Sequence, residues 1–205
     1  LYRNRRALSR PVVRALRFLY AGGLPPLAYH AQMQNNLVRA VAALCMLAVA
    51  LLAACSPKMD WREMPVADGR ARVLFPAKPA TFTRETTLNG KGYAMTLTAA
   101  RIGSAQFAAG VIPVTAADAP AAAQAWAGAM LGNVQGSAEP VPVTVKNALG
   151  AIEITANGTM NGQPARLHAR FAWRAGHVFA AIAVGRADEL SAADAQQFAQ
   201  SLVLP

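Results

Sequence analysis

Arg166-Leu167-His168-Ala169-Arg170-Phe171-Ala172-Trp173-Arg174, followed after Ala175-Gly176-His177 by Val178-Phe179-Ala180-Ala181-Ile182-Ala183-Val184, decides the fold of this 205-residue chain. The first run alternates with period two: Leu167, Ala169, Phe171 and Trp173 point one way, and Arg166, His168, Arg170 and Arg174 the other. The second run is apolar on both faces. Across a tight Ala175-Gly176 turn the two strands are antiparallel, and an antiparallel strand buried on both sides needs cover on both. The Val178–Val184 strand is therefore expected at the centre of a sheet, with helices or other chain packed on each face.

The segments around this hairpin extend the same pattern. Ile152, Ile154 and Ala156 alternate with Glu153 and Thr155, and Asn161-Gly162 supplies a two-residue turn into the basic strand. Val141, Val143 and Val145 alternate around Pro142, which suits an edge strand because proline cannot donate to a ladder. Towards the N-terminus, Arg72–Phe75 reads as a strand stopped by Pro76 and Pro79. Thr81–Thr87 and Tyr93–Ala99 flank Asn89-Gly90 as a hairpin, and Gln106–Val114 adds a further strand. Ala116–Leu131 is alanine-rich and reads as a helix, with Pro120 in its first turn and Gly132-Asn133 after its end. Its Ala122, Ala123, Trp126 and Met130 are expected against the core. A closing helix starts at the N-cap Ser191, with Asp194 three residues on, and buries Ala195, Phe198, Ala199 and Leu202. Strands, a helix, more strands and a helix make an α+β fold: a mainly antiparallel β-sheet with helices packed on its faces.

The formal net charge of +10 is unevenly placed. Residues 1–54 hold seven arginines and no acid, so residues 55–205 keep 13 basic and 10 acidic groups, a net of +3. Whole-domain attraction to a polyanion is weak at that value, and nucleic acid is not an expected partner.

The basic leader contains the second informative stretch. After Met33-Gln34-Asn35-Asn36 and the single charge of Arg39, residues 40–54 carry no charge and end in Leu52-Ala53-Ala54-Cys55-Ser56. An apolar run of about 15 residues suits the centre of a secretion signal better than a membrane span. Small residues just before a cysteine resemble the lipobox of bacterial lipoproteins. That resemblance implies cleavage between Ala54 and Cys55, diacylglycerol on the Cys55 thiol and an N-acyl chain on the new N-terminus, with no other cofactor. It also implies attachment to the membrane through this lipid. With Ser56 rather than aspartate after the cysteine, the implied address is the outer membrane, facing the periplasm, in a Gram-negative host. Residues 33–54 are then the signal peptide, 55–69 a tether and 70–205 a single α+β domain. Residues 1–32 read as non-native sequence upstream of a start at Met33 or as an extended leader; an organelle transit peptide is a third reading, on arginine content and lack of acids. Cys45 lies within the signal, so the mature unit would have neither a free thiol nor a disulfide.

The domain itself, opening with Val73-Leu74-Phe75-Pro76-Ala77-Lys78-Pro79 and closing with Phe198-Ala199-Gln200-Ser201-Leu202, resembles the PsbP-like superfamily. The resemblance covers about residues 70–205 and implies an α/β/α sandwich without catalytic residues, in a group whose members act mostly as binding or assembly factors.

Residues able to do chemistry are few. His168 and His177 lack a third ligand, so no metal site is expected. No Gly-x-Ser-x-Gly elbow or glycine-rich phosphate loop occurs, and Asp188, Glu189 and Asp194 cluster at a helix start where acids stabilise the dipole. The distinctive surface feature is the row Arg166, His168, Arg170 and Arg174, spaced about 7 Å apart on one sheet face. It is a candidate face for an anionic partner, a protein or lipid headgroups; the alternative is a solvated sheet face, or one whose stems lie under a helix with their heads at the rim, with Glu153 pairing one of the arginines. The sequence thus points to a membrane-anchored, non-enzymatic binding or scaffold module. An anchored ligand-binding or enzymatic domain and an uncleaved single-span protein are the alternatives.

Overall fold

The computed structural model describes residues 59–205, together with the isolated helical positions Arg39 and Val41. The leader, the signal segment and the Cys55-Ser56 pair lie outside the described residues. One compact unit spans Lys58–Pro205.

Two sheets build this unit. Strands β1 (Arg62–Val66) and β2 (Ala71–Phe75) form an antiparallel pair. Strands β3 (Ala80–Leu88), β4 (Lys91–Ile102), β5 (Ala105–Pro113), β6 (Val141–Val143), β7 (Gly150–Met160), β8 (Gln163–Arg174) and β9 (His177–Arg186) form a seven-stranded sheet in the order β3-β4-β5-β9-β8-β7-β6. Every neighbouring pair in it is antiparallel. The doubly apolar strand is β9, and it is the middle strand of the seven, as its pattern demands. Pro142 lies in the short edge strand β6.

Helix α1 (Ala119–Asn133) covers one face and helix α2 (Ala192–Gln200) the other. Under α1, Trp126 meets Phe171 with ring centroids 5.7 Å apart, among Ile152, Ile154, Leu167 and Ala180. Gly110 of β5 permits this approach: a Cβ there would lie 2.6 Å from the Trp126 ring. On the opposite face Phe198 of α2 packs edge-to-face on Phe75 and Phe107, both at 5.3 Å. Val66, Val73 and Leu204 close the same cluster. The α2 N-cap forms as the sequence predicts, with Asp194 N–H donating to Ser191 Oγ at 3.0 Å. Asp118 precedes α1 without capping it; its carboxylate accepts from Lys91 Nζ and Thr115 Oγ1 instead.

One sequence expectation is corrected. Residues 55–69 were read as tether, yet 62–66 form β1, and the pairing runs from Arg62↔Phe75 to Val66↔Ala71. Trp61 stands edge-on to Phe107 at 5.9 Å and belongs to the same cluster. Prolines and mixed charges suggested a linker; what holds the segment is its partner strand β2, which supplies the ladder and a route for Val66 into the core. The hydrogen bond from Asp60 N–H to the Pro76 carbonyl, 2.8 Å, extends this order to the first described residues.

Candidate functional site

The basic row of β8 lies on the α2 side of the sheet, because Leu167, Ala169 and Phe171 occupy the α1 side. The register set by the Asn161-Gly162 turn places Glu153 of β7 opposite Arg170 and Thr155 opposite His168. Their side chains meet. Arg170 Nε donates to Glu153 Oε2 at 2.7 Å, and its Nη2 pairs with the same oxygen. His168 Nε2 donates to Glu153 Oε1 at 2.9 Å, leaving Nδ1 facing Thr155 Oγ1 at 3.3 Å. Gln200 of α2 adds Nε2 to Glu153 Oε1 at 3.3 Å, while Arg170 Nη1 reaches the Gln200 carbonyl.

This network is largely withdrawn from solvent: the His168, Arg170 and Glu153 side chains are 8, 14 and 15% exposed. Burial alone would raise the Glu153 carboxyl. The hydrogen bonds from Arg170 and His168 and the arginine's charge outweigh burial and hold it below the ordinary carboxylate range. The outer members of the row are also engaged. Arg166 Nη1 donates to the Leu190 and Ala187 carbonyls, and Arg174 Nη1 to the Pro205 carbonyl at 2.7 Å. All four groups named as an anionic-partner face therefore hold internal acceptors, and the row fastens β8 to α2 and the chain end. Of the readings open for this row, the geometry matches the face whose stems lie under a helix, with Glu153 pairing Arg170. Geometry is the reason: the chain entering α2 and the last turn of α2 lie over the row, and their Ala187, Leu190 and Gln200 carbonyls accept from Arg166 and Arg170.

Beside the network a groove of about 420 Å³ opens between β7, β8 and α2, lined by Glu153, Thr155, Asn157, Arg166, His168 and Gln196. Thr155, His168 and Glu153 stand in the order hydroxyl, base, orienting carboxylate, the order by which a nucleophile is activated. Here Arg170 already takes up the carboxylate's charge, so Glu153 orients the imidazole without offering a free counter-charge. The chemistry best matched to the groove is polar recognition. A second cavity of about 360 Å³ lies by Tyr93, Lys91 and Asp118.

His177 does not join His168. It sits opposite Arg174, six residues away along β8, and hydrogen-bonds Arg70 Nη1 and the Ala175 carbonyl. Among the described residues no group of three potential metal ligands converges, and no helix is long and apolar enough to cross a membrane. Ala54 and Cys55 lie outside the described residues. Thr155, Asn157, Gln196 and Gln200 entered the site unannounced. The two on β7 could have been found by counting outwards from Asn161-Gly162; the two glutamines depend on where α2 lands.

The chain matches no protein-family model and no curated protein sequence. Among solved structures it is similar to a protein from Bacteroides thetaiotaomicron, with a TM-score of 0.42 and 12% identity over 72% of this chain and 49% of that one. The chain thus spans about half the length of that protein. It is also similar to a protein of unknown function from Pseudomonas aeruginosa, with a TM-score of 0.32 and 9% identity over 63% of this chain and 85% of that one. At these values the likeness assigns nothing to this chain.

Proposed function

We propose that this chain is an envelope lipoprotein, acylated at Cys55, whose α+β unit faces the periplasm and works as a binding or assembly module rather than an enzyme. The observation that carries the reading is the agreement of two independent boundaries. The lipobox-like Leu52-Ala53-Ala54-Cys55 puts the mature N-terminus at Cys55, and the compact unit begins at Lys58. A signal removed at that point would leave every residue of that unit in place. Three residues reach about 11 Å at most, so the unit would be held close to the bilayer rather than on a long stalk. Two or more acyl chains make such attachment stable where one would be marginal. Ser56 supports the outer membrane as the address. At the finer level of fold we read the unit as a PsbP-like α/β/α sandwich, supported by helices on opposite faces of the sheet. The internal engagement of Glu153, His168 and Arg170 supports a non-enzymatic role.

Mass analysis of the protein purified from its own envelope tests the reading. The expected N-terminus is Cys55 carrying a diacylglycerol and an N-acyl chain, and Cys55→Ala is expected to accumulate as an uncleaved, unacylated precursor. A free Cys55 thiol with residues 33–54 still attached would overturn it and favour a single-span protein. The groove beside α2 favours one further reading, an anchored site for a small polar ligand contacting Arg166. A small polar ligand would then stabilise the wild-type chain against thermal unfolding and leave Arg166→Ala unstabilised.

A further inference from the structure

The two edges of the large sheet are not alike. At one end β6 is three residues long and carries Pro142, both devices that discourage further pairing. At the other end β3 runs for nine residues, and its register with β4 is continuous from Ala80↔Ala99 to Leu88↔Lys91, without a bulge. It contains no proline and no lysine. Residues 80–85 are all exposed, including Phe82 at 49%. Asn89 and Gly90 have φ of 48° and 74°, a two-residue turn of the type that makes Leu88 and Lys91 a hydrogen-bonded pair. Because hydrogen-bonded pairs alternate along an antiparallel ladder, even-numbered residues of β3 bond to β4. Thr81, Thr83, Glu85 and Thr87 turn their N–H and C=O groups outward, and among the described residues these groups have no backbone partner beyond β3.

We infer that β3 is a docking edge for β3 of a second copy, paired antiparallel about a two-fold axis through Thr83. Side-chain chemistry and strand length select this register. A two-fold axis perpendicular to the sheet sets one residue opposite its own copy, in a hydrogen-bonded or a non-hydrogen-bonded pair, so near the middle of the strand the choices are Phe82, Thr83, Arg84 and Glu85. Centring on Arg84 or Glu85 would put like charges directly opposite each other, which is unfavourable, and centring on Phe82 would pair only residues 80–84 of β3, where centring on Thr83 pairs 80–86. Centring on Thr83 places Phe82 of each copy opposite Arg84 of the other in a close, non-hydrogen-bonded pair, where a guanidinium can lie on the ring. It also places Thr81 opposite Glu85, with no like charges facing. Phe82 and Arg84 share the α1 side of the sheet through their partners Leu97 and Met95. The two seven-stranded sheets become one continuous sheet, and both α1 helices lie on the same side of it. The inference holds whether or not Cys55 is acylated.

Two measurements on the full chain in mild detergent test it. In sedimentation the wild type is expected at the mass of two copies, and Thr83→Pro, which removes an outward N–H and leaves the β4 ladder intact, at half that mass with unchanged thermal unfolding. A monomeric wild type, or a folded Thr83→Pro chain that stays dimeric, overturns the inference. Replacing Phe82 with a photoreactive benzophenone analogue of phenylalanine covers the case in which the proline variant fails to fold. On irradiation the expected product joins position 82 to a peptide containing Arg84 of another copy. Attachment to a different region, to a different protein or to no protein overturns it.

Discussion

Glu153 accepts hydrogen bonds from a guanidinium, an imidazole and an amide carried by two different elements, β8 and α2. Removing it leaves Arg170 mostly buried and without a counter-charge, with only the Gln200 carbonyl still accepting from it. Glu153→Ala is expected to destabilise the fold by about 3 kcal/mol, read from denaturant midpoints, whereas Arg84→Ala on the exposed edge should change stability by less than about 0.5 kcal/mol. The carboxyl also makes stability depend on pH. Its folded value lies below the ordinary 4.5, so the unfolded chain takes up the proton first as the solution is acidified. The contribution is fully present above that range and is lost as pH falls through the folded value. Urea titrations from pH 7 to 3 should therefore show a decline that is shallower in Glu153→Gln. At this scale the sequence was legible wherever counting from a turn sufficed: Asn161-Gly162 fixes Glu153 opposite Arg170. It was silent on Gln200, which comes within 3.3 Å of Glu153 through the docking of a helix some thirty residues beyond Arg170.

Strand β8 shows how one element serves two layers. Its odd-numbered face feeds the α1 core, where Phe171 is fully buried against Trp126, and its even-numbered face anchors α2. Phe171→Ala should cost about 3–5 kcal/mol, measured by chemical denaturation, and a value near zero would mean that the strand is turned over. Alternation made this division readable from residue types alone, since a one-residue slip would turn the arginines into the apolar α1 core and the phenylalanine onto the polar side beneath α2. Helix α1 was legible for a different reason: Pro120 marks its first turn and Trp126 its buried side, but it starts at Ala119 rather than Ala116 and runs through Gly132 to Asn133, past the end that Gly132 suggested. Strand β1 was not legible. Five residues of mixed character, Arg62-Glu63-Met64-Pro65-Val66, have no pattern that separates a strand from a linker until β2 is set beside them.

Taken whole, the unit is a sheet closed on one face by α1 and on the other by α2 with the β1–β2 pair. The N-terminal pair is consequently part of the core and not an accessory. Deleting residues 59–69 should lower the unfolding temperature sharply by uncovering Phe75 and Phe107; a chain that melts unchanged would restore the linker reading. By itself the sequence determined the antiparallel α+β class, the central place of the Val178–Val184 strand and the two helices, because side-chain periodicity and turn residues act over a few neighbours and leave a local trace. It also carried the lipobox-like stretch, which is a chemical signature and not a matter of packing. Only the tertiary structure decided that the basic row sits beneath a helix, that the supposed tether is a strand, and that one edge of the sheet is long and open while the other is short. Each of these depends on which distant segment comes to lie alongside, and burial and hydrogen-bond satisfaction select that neighbour across the whole unit at once.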